Sequence, residues 1–155
     1  MTATTQPIVK QLVVRASQAH AFSVFTTGIN RWWPREHHIG KSPLKEIVVE
    51  PRAGGRWYSI CEDLSEINVG KVLAWEPPGR VLLAWQINGA WTYDPAFLTE
   101  LEVTFVAGGA TETHVRLEHR NLERFGPSEG QLRGMFDAPE GWTSTLADFA
   151  RAAEG

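Results

Sequence analysis

Five histidines, one cysteine and scattered carboxylates are the side chains of this sequence able to do chemistry, and their spacing removes most of the familiar options. The histidine cluster Glu36-His37-His38 places neighbouring side chains on opposite sides of an extended chain. No histidine pair at i,i+4 and no Cys-x-x-Cys supplies further ligands, so neither a metal nor any other cofactor is expected. Cys61 precedes Glu62 and Asp63, whose charges disfavour a thiolate, and reads as structural. The glycine pairs Gly54-Gly55 and Gly108-Gly109 lack a following helix N-terminus and read as hairpin turns or bulges rather than phosphate cradles. His119 is different. It shares strand parity with Val115 and Leu117 and so faces the interior. One reading makes it a core histidine bonded to a carbonyl or a helix residue. The other makes it the candidate catalytic residue, a general acid/base or polar anchor inside an apolar cavity. A second inward ionisable group beside it would favour catalysis, and Glu46, Glu50 and Asp137 are only distant candidates.

Seven tryptophans in 155 residues carry more aromatic volume than one sheet–helix seam needs. Trp32, Trp33, Trp75, Trp85 and Trp142 are therefore expected to wall a ligand cavity. Leu101, Val103, Leu117, Met135 and Phe136 complete its apolar lining beside His119. Trp57 and Tyr58 are adjacent, so only one points inward without a bulge at Gly54-Gly55. Tyr58, with its phenolic handle, is the expected inward residue.

The elements that must hold these residues follow from periodicity. Ile8–Arg15 reads as a strand, and Ser17 caps a short helix running to about Thr26 with Ala19, Phe22, Phe25 and Ile29 on one stripe. A second helical turn, Ile29–Trp33, is stopped by Pro34. Period-two patterning between turn signals predicts strands Leu44–Glu50, Arg56–Cys61, Ile67–Glu76, Arg80–Ile87, Phe97–Val106 and Thr111–Asn121. Leu132 to Phe149 then repeats at helical spacing, broken near Pro139 and Gly141, which predicts a long interrupted C-terminal helix.

Several motifs lie along this order: Trp32-Trp33-Pro34, Gly54-Gly55-Arg56-Trp57, Gly70 to Pro77 running into Arg80–Trp85, Arg116-Leu117-Glu118-His119, and Gly141-Trp142 before Leu146. Together, over residues 8–153, they resemble the START-like, or SRPBCC, superfamily and within it the Hsp90-ATPase-activator-homologue branch. The resemblance implies an α+β helix-grip fold. In that fold a curved six- to seven-stranded antiparallel sheet wraps a long C-terminal helix, two short helices follow the first strand, and an apolar cavity takes a small hydrophobic ligand. The segment Asn88–Phe97, with Trp91 and Tyr93, departs from the pattern as a hairpin over the cavity mouth.

Composition sets the outer bounds. The length suits one domain, residues 8–155, after a flexible tail at 1–7. A formal charge of −3 without clustered Lys or Arg argues against a nucleic-acid partner. No apolar run approaches the ~18 residues of a membrane span. A single cysteine and an N-terminus without signal character suggest a reducing, cytoplasmic setting. Three functions stay open: a carrier of a small hydrophobic or aromatic molecule, a cavity enzyme of the cyclase, hydratase or hydrolase kind using His119, and a chaperone or partner-interaction module. A homodimer stays open with them.

Overall fold

The structure, a computed structural model, describes residues 6–155, so the first five residues of the expected tail lie outside the described residues. Alternating β-branched and aromatic residues give seven strands: β1 (Ile8–Val14), β2 (Leu44–Val49), β3 (Arg56–Cys61), β4 (Glu66–Glu76), β5 (Arg80–Trp85), β6 (Thr99–Gly109) and β7 (Glu112–Arg120). They form one antiparallel sheet in the order β1-β7-β6-β5-β4-β3-β2. The meander runs out from β2, and β1 returns to pair with β7.

Helix α1 (Gln18–Phe25) starts where Ser17 Oγ accepts the His20 N–H at 3.2 Å. A 3-10 turn at Ile29–Arg31 follows, ahead of Pro34. The C-terminal helix is interrupted as its Pro and Gly residues predict: α2 (Glu129–Asp137), a widened turn at Pro139–Thr143, then α3 (Ser144–Glu154). This is the α+β helix-grip fold. Strands β5 and β6 are shorter on their facing ends than the alternation suggests. There Asn88 Oδ1 accepts the N–H groups of Ala90 and Thr92 at 3.0 and 3.2 Å, which turns the chain out of the ladder into a side hairpin joined at Ile87 and Tyr93.

The concave face carries the core. Val81, Leu83 and Trp85 of β5 are in register with Val103, Leu101 and Thr99 of β6; Val103 and Leu101 in turn face Leu117 and His119 of β7. Helices α1 and α3 cover one end through Phe149, whose ring meets Phe25 at 5.1 Å and Trp32 at 5.5 Å. At the open β1 edge Lys10 reaches Asp137 of α2 at 2.6 Å. The convex face is polar, with Arg120 bridging Glu100, Glu102 and Glu118 at 2.8–3.1 Å.

One glycine is sterically obligatory on the concave face. Gly70 lies in register between Trp57 and Trp85, and a Cβ there would sit 1.7 Å from the Ala84 carbonyl oxygen. Its missing side chain leaves room for the two indoles to meet across it at 5.8 Å. Gly70→Ala is expected to lower stability by about 3 kcal/mol through strand displacement. Phe149→Ala should cost roughly 3–5 kcal/mol, because its fully buried ring leaves a cavity among neighbouring aromatics. Denaturant midpoints read both, and a wild-type midpoint for Phe149→Ala would mean that α3 is not docked through this ring.

Candidate functional site

Between the sheet and α2–α3 lies a cleft of about 600 Å³, within the range of small-molecule sites. Trp85 and Ile87 form its sheet wall. Met135, Phe136, Trp142 and Thr145 form the helix wall. Trp33 and the loop residues Glu36, His37, His38 and Ile39 form the third side, and Trp91 of the side hairpin stands at the mouth.

The walls are fixed by contacts behind them. Four indoles close a ring, with centroid separations of 5.9 Å for Trp33–Trp57, 5.8 Å for Trp57–Trp85, 6.2 Å for Trp85–Trp142 and 6.3 Å for Trp142–Trp33. Their mostly edge-to-face geometry suits the aromatic quadrupole. Trp33 Nε1 donates to the His37 carbonyl at 2.8 Å, and Trp85 Nε1 to the Ile87 carbonyl at 2.9 Å. Trp142 enters the cleft because the chain turns tightly at Gly141, where a Cβ would fall 2.3 Å from the Phe136 carbonyl oxygen and 2.4 Å from that of Met135.

His119 sits behind this wall. It is fully buried, Trp142 Nε1 donates to its Nδ1 at 3.2 Å, and its Nε2 lies 2.9 Å from Thr99 Oγ1. Accepting at Nδ1 leaves Nε2 as the protonated nitrogen, which donates to Thr99. Phe136 and Trp85 pack on the ring at centroid distances of 4.8 and 5.9 Å. Burial pushes its pKa down from 6.5 to about 3, so the ring stays neutral in the folded protein. No carboxylate approaches it among the described residues: Asp137 is paired with Lys10, and Glu50 accepts from the Arg56 N–H at 2.7 Å. With both nitrogens engaged and the ring screened from the cleft, His119 has the geometry of a residue that holds Trp142, and lacks the access that an acid/base needs.

Of the residues expected to line the cavity, the fold brings Trp33, Trp85, Met135, Phe136 and Trp142 together. Trp32 is instead core, donating to the Val24 carbonyl at 2.8 Å. Trp75 stands at the far end of the concave face, edge-on to Phe22 at 5.1 Å. Leu101, Val103 and Leu117 are buried beneath the helices and do not reach the cleft. The choice of Tyr58 as the inward residue is corrected. Trp57 is the inward one, fully buried, and Tyr58 lies on the opposite side under the Arg56 guanidinium at 3.9 Å. The bulge that sets this parity is on β4, where the register passes from Gly70 to Asn68, rather than at Gly54-Gly55.

Single-element reasoning missed Glu36, His37, His38, Ile39, Trp91 and Thr145. The signal for Trp91 was its hairpin, already legible as an insertion at the mouth; the loop residues carry no periodicity. The pentapeptide Gly126-Pro127-Ser128-Glu129-Gly130 fits a Gly-x-Ser-x-Gly pattern, but its first three residues end a 3-10 stretch and its last two open α2, so Ser128 is not on the strand-to-helix turn of a nucleophile elbow.

A curved antiparallel sheet closed by a C-terminal helix over an aromatic cleft defines a helix-grip protein. No family model matches the chain, and no curated protein does. Solved structures do. The anthrahydroquino-γ-pyrone synthase Txn09 is 37% identical, over 97% of this chain and 99% of that one, with a TM-score of 0.68. CalC, a self-sacrificing resistance protein from Micromonospora echinospora, is 31% identical over 96% of this chain and 94% of its own, with a TM-score of 0.69. The Aha1 dimer from Colwellia psychrerythraea shares the fold at 17% identity and a TM-score of 0.64, covering 97% of both chains. The chain belongs to the START-like, or SRPBCC, superfamily.

The buried histidine makes stability depend on pH. The unfolded chain takes up a proton on this side chain below about 6.5, whereas the folded chain resists until about 3. Its contribution is therefore complete above pH 6.5 and is lost as pH falls toward 3, on the order of 1 kcal/mol per pH unit. Denaturant titrations from pH 7 to 4 should show this slope in the wild type and a shallower one in His119→Gln. Parallel slopes would mean that the ring is charged or exposed in the folded state.

Proposed function

We propose that the chain binds a small aromatic molecule in the cleft between the sheet and α2–α3. The observation that carries this reading is the composition of the cleft itself: Trp33, Trp85, Phe136, Trp142 and Trp91 turn toward a space large enough for a fused-ring ligand. Similarity to a synthase and to a resistance protein over nearly the whole chain supports it. In this reading residues 8–155 act as one domain and the ligand is reached from an aqueous, cytoplasmic setting. No helix among the described residues is long and apolar enough to cross a membrane.

Catalysis in the same cleft is the second reading, favoured by the 37% identity to Txn09. Its acid/base groups would come from Glu36, His37, His38 and Glu140, which line the cleft, rather than from His119. The narrower placing in the activator-homologue branch, with a chaperone partner or a homodimer, rests on the sequence motifs and a likeness of fold.

A neutral apolar fluorophore such as N-phenyl-1-naphthylamine should bind with a stoichiometry near one, quench tryptophan emission and show a negative heat-capacity change in calorimetry. Ala138→Trp and Met135→Trp, which add bulk on the helix side, should each weaken it at least tenfold at an unchanged thermal midpoint. Wild-type protein that binds no apolar probe would remove this reading.

A further inference from the structure

The charged side chains and the buried indoles around the cleft constrain its occupant. The indole N–H groups of the three buried wall tryptophans are all donated to protein acceptors: Trp33 to the His37 carbonyl, Trp85 to the Ile87 carbonyl, Trp142 to His119. The Thr145 hydroxyl, on the helix wall, donates to the Gly141 carbonyl at 3.1 Å and keeps its lone pairs free. Two exposed acidic residues, Glu36 of the Trp33 loop and Glu140 of the widened turn, line the cleft, and neither has an ion-pair partner among the described residues. Among the described residues no Lys or Arg lines the cleft, and the bases that do are His37 and His38. His38 Nδ1 accepts the Gly40 N–H at 3.2 Å, which leaves its Nε2–H as a neutral donor beside the cleft.

Resting on the reading of this cleft as a ligand site, we infer that its occupant is an aromatic amine in protonated form: the ring system lies among Trp33, Trp85 and Trp142, and Glu36 and Glu140 receive its ammonium. The indoles with their N–H groups turned away contribute polarisable π surface, which attracts a cation and offers no fixed donor to a carbonyl or carboxylate. The rim carboxylates add long-range attraction of the same sign. An anionic ligand of equal shape meets unpaired negative charge at the rim and finds no fixed positive charge to offset it.

Three anthracene derivatives of matched shape separate the terms: 9-anthracenemethylamine as ammonium, 9-anthracenemethanol as neutral reference and 9-anthracenecarboxylate as anion. Titration calorimetry at pH 7 and low salt should rank them in that order, the ammonium about five- to tenfold tighter than the alcohol. That advantage should shrink in 0.5 M salt, because rim charges are screened. It should also be lost in E36Q/E140Q. Binding of the alcohol with no preference for the ammonium would overturn the inference and leave the aromatic-binding reading intact. Tightest binding of the carboxylate would overturn it in favour of His37 and His38. An ammonium preference that survives in E36Q/E140Q would overturn the assignment to the two carboxylates. Failure of all three to bind would remove the underlying reading of the cleft as well.

Discussion

The hydrogen bond from the Trp142 indole to Nδ1 of His119 joins the two halves of the molecule. Trp142 belongs to the turn between α2 and α3, and His119 to β7, the strand paired with the β1 edge of the sheet. The bond is made without solvent, so loss of either partner leaves a buried polar group unsatisfied, which is costlier than the bond is worth in water. Burial keeps the imidazole neutral and able to accept, the donor-only indole N–H fixes the tautomer, and Thr99 accepts from the other ring nitrogen. Phe136 and Trp85 then pack on the same ring, so the position of each cleft wall is referred to one buried histidine.

Two glycines make this arrangement geometrically possible. Gly70 lets the indoles of Trp57 and Trp85 meet across a bulged strand, and Gly141 lets the chain pass close under the carbonyls that end α2. Both act by absence of a side chain where backbone approaches backbone, which no rotamer change relieves. The result is an aromatic wall held by edge-to-face contacts, with its N–H groups turned into the protein. Its remaining polarity sits at the rim, where carboxylates and histidines meet solvent. An interior apolar enough to drive association and a rim that sets charge preference are the usual division of labour in a ligand site.

Much of the fold was legible in advance because it rests on local periodicity. The alternation of Leu101, Val103 and Phe105 against Val115, Leu117 and His119 emerged as register pairs across β6 and β7. Ser17 capped the helix it precedes, and Pro139 with Gly141 broke the terminal helix where they stand. Tyr58 shows where periodicity stops informing. Parity along a strand says that Trp57 and Tyr58 point apart, but which faces inward depends on a bulge in the neighbouring strand, and a bulge is a property of a pair of strands.

The cleft divides along the same line. The sequence by itself determined that this chain would have a curved antiparallel sheet, a broken terminal helix and a surplus of aromatic side chains, since composition and periodicity are read residue by residue. Only the tertiary structure decided which aromatics meet. It sent Trp32 and Trp75 into packing with α1, brought Trp33, Trp85 and Trp142 together, and set Glu36 and Glu140, more than a hundred residues apart in the chain, on one rim. It also decided the role of His119, because whether a buried imidazole works on a ligand or holds a wall depends on which atoms occupy its two nitrogens, and these came from β6 and the α2–α3 turn.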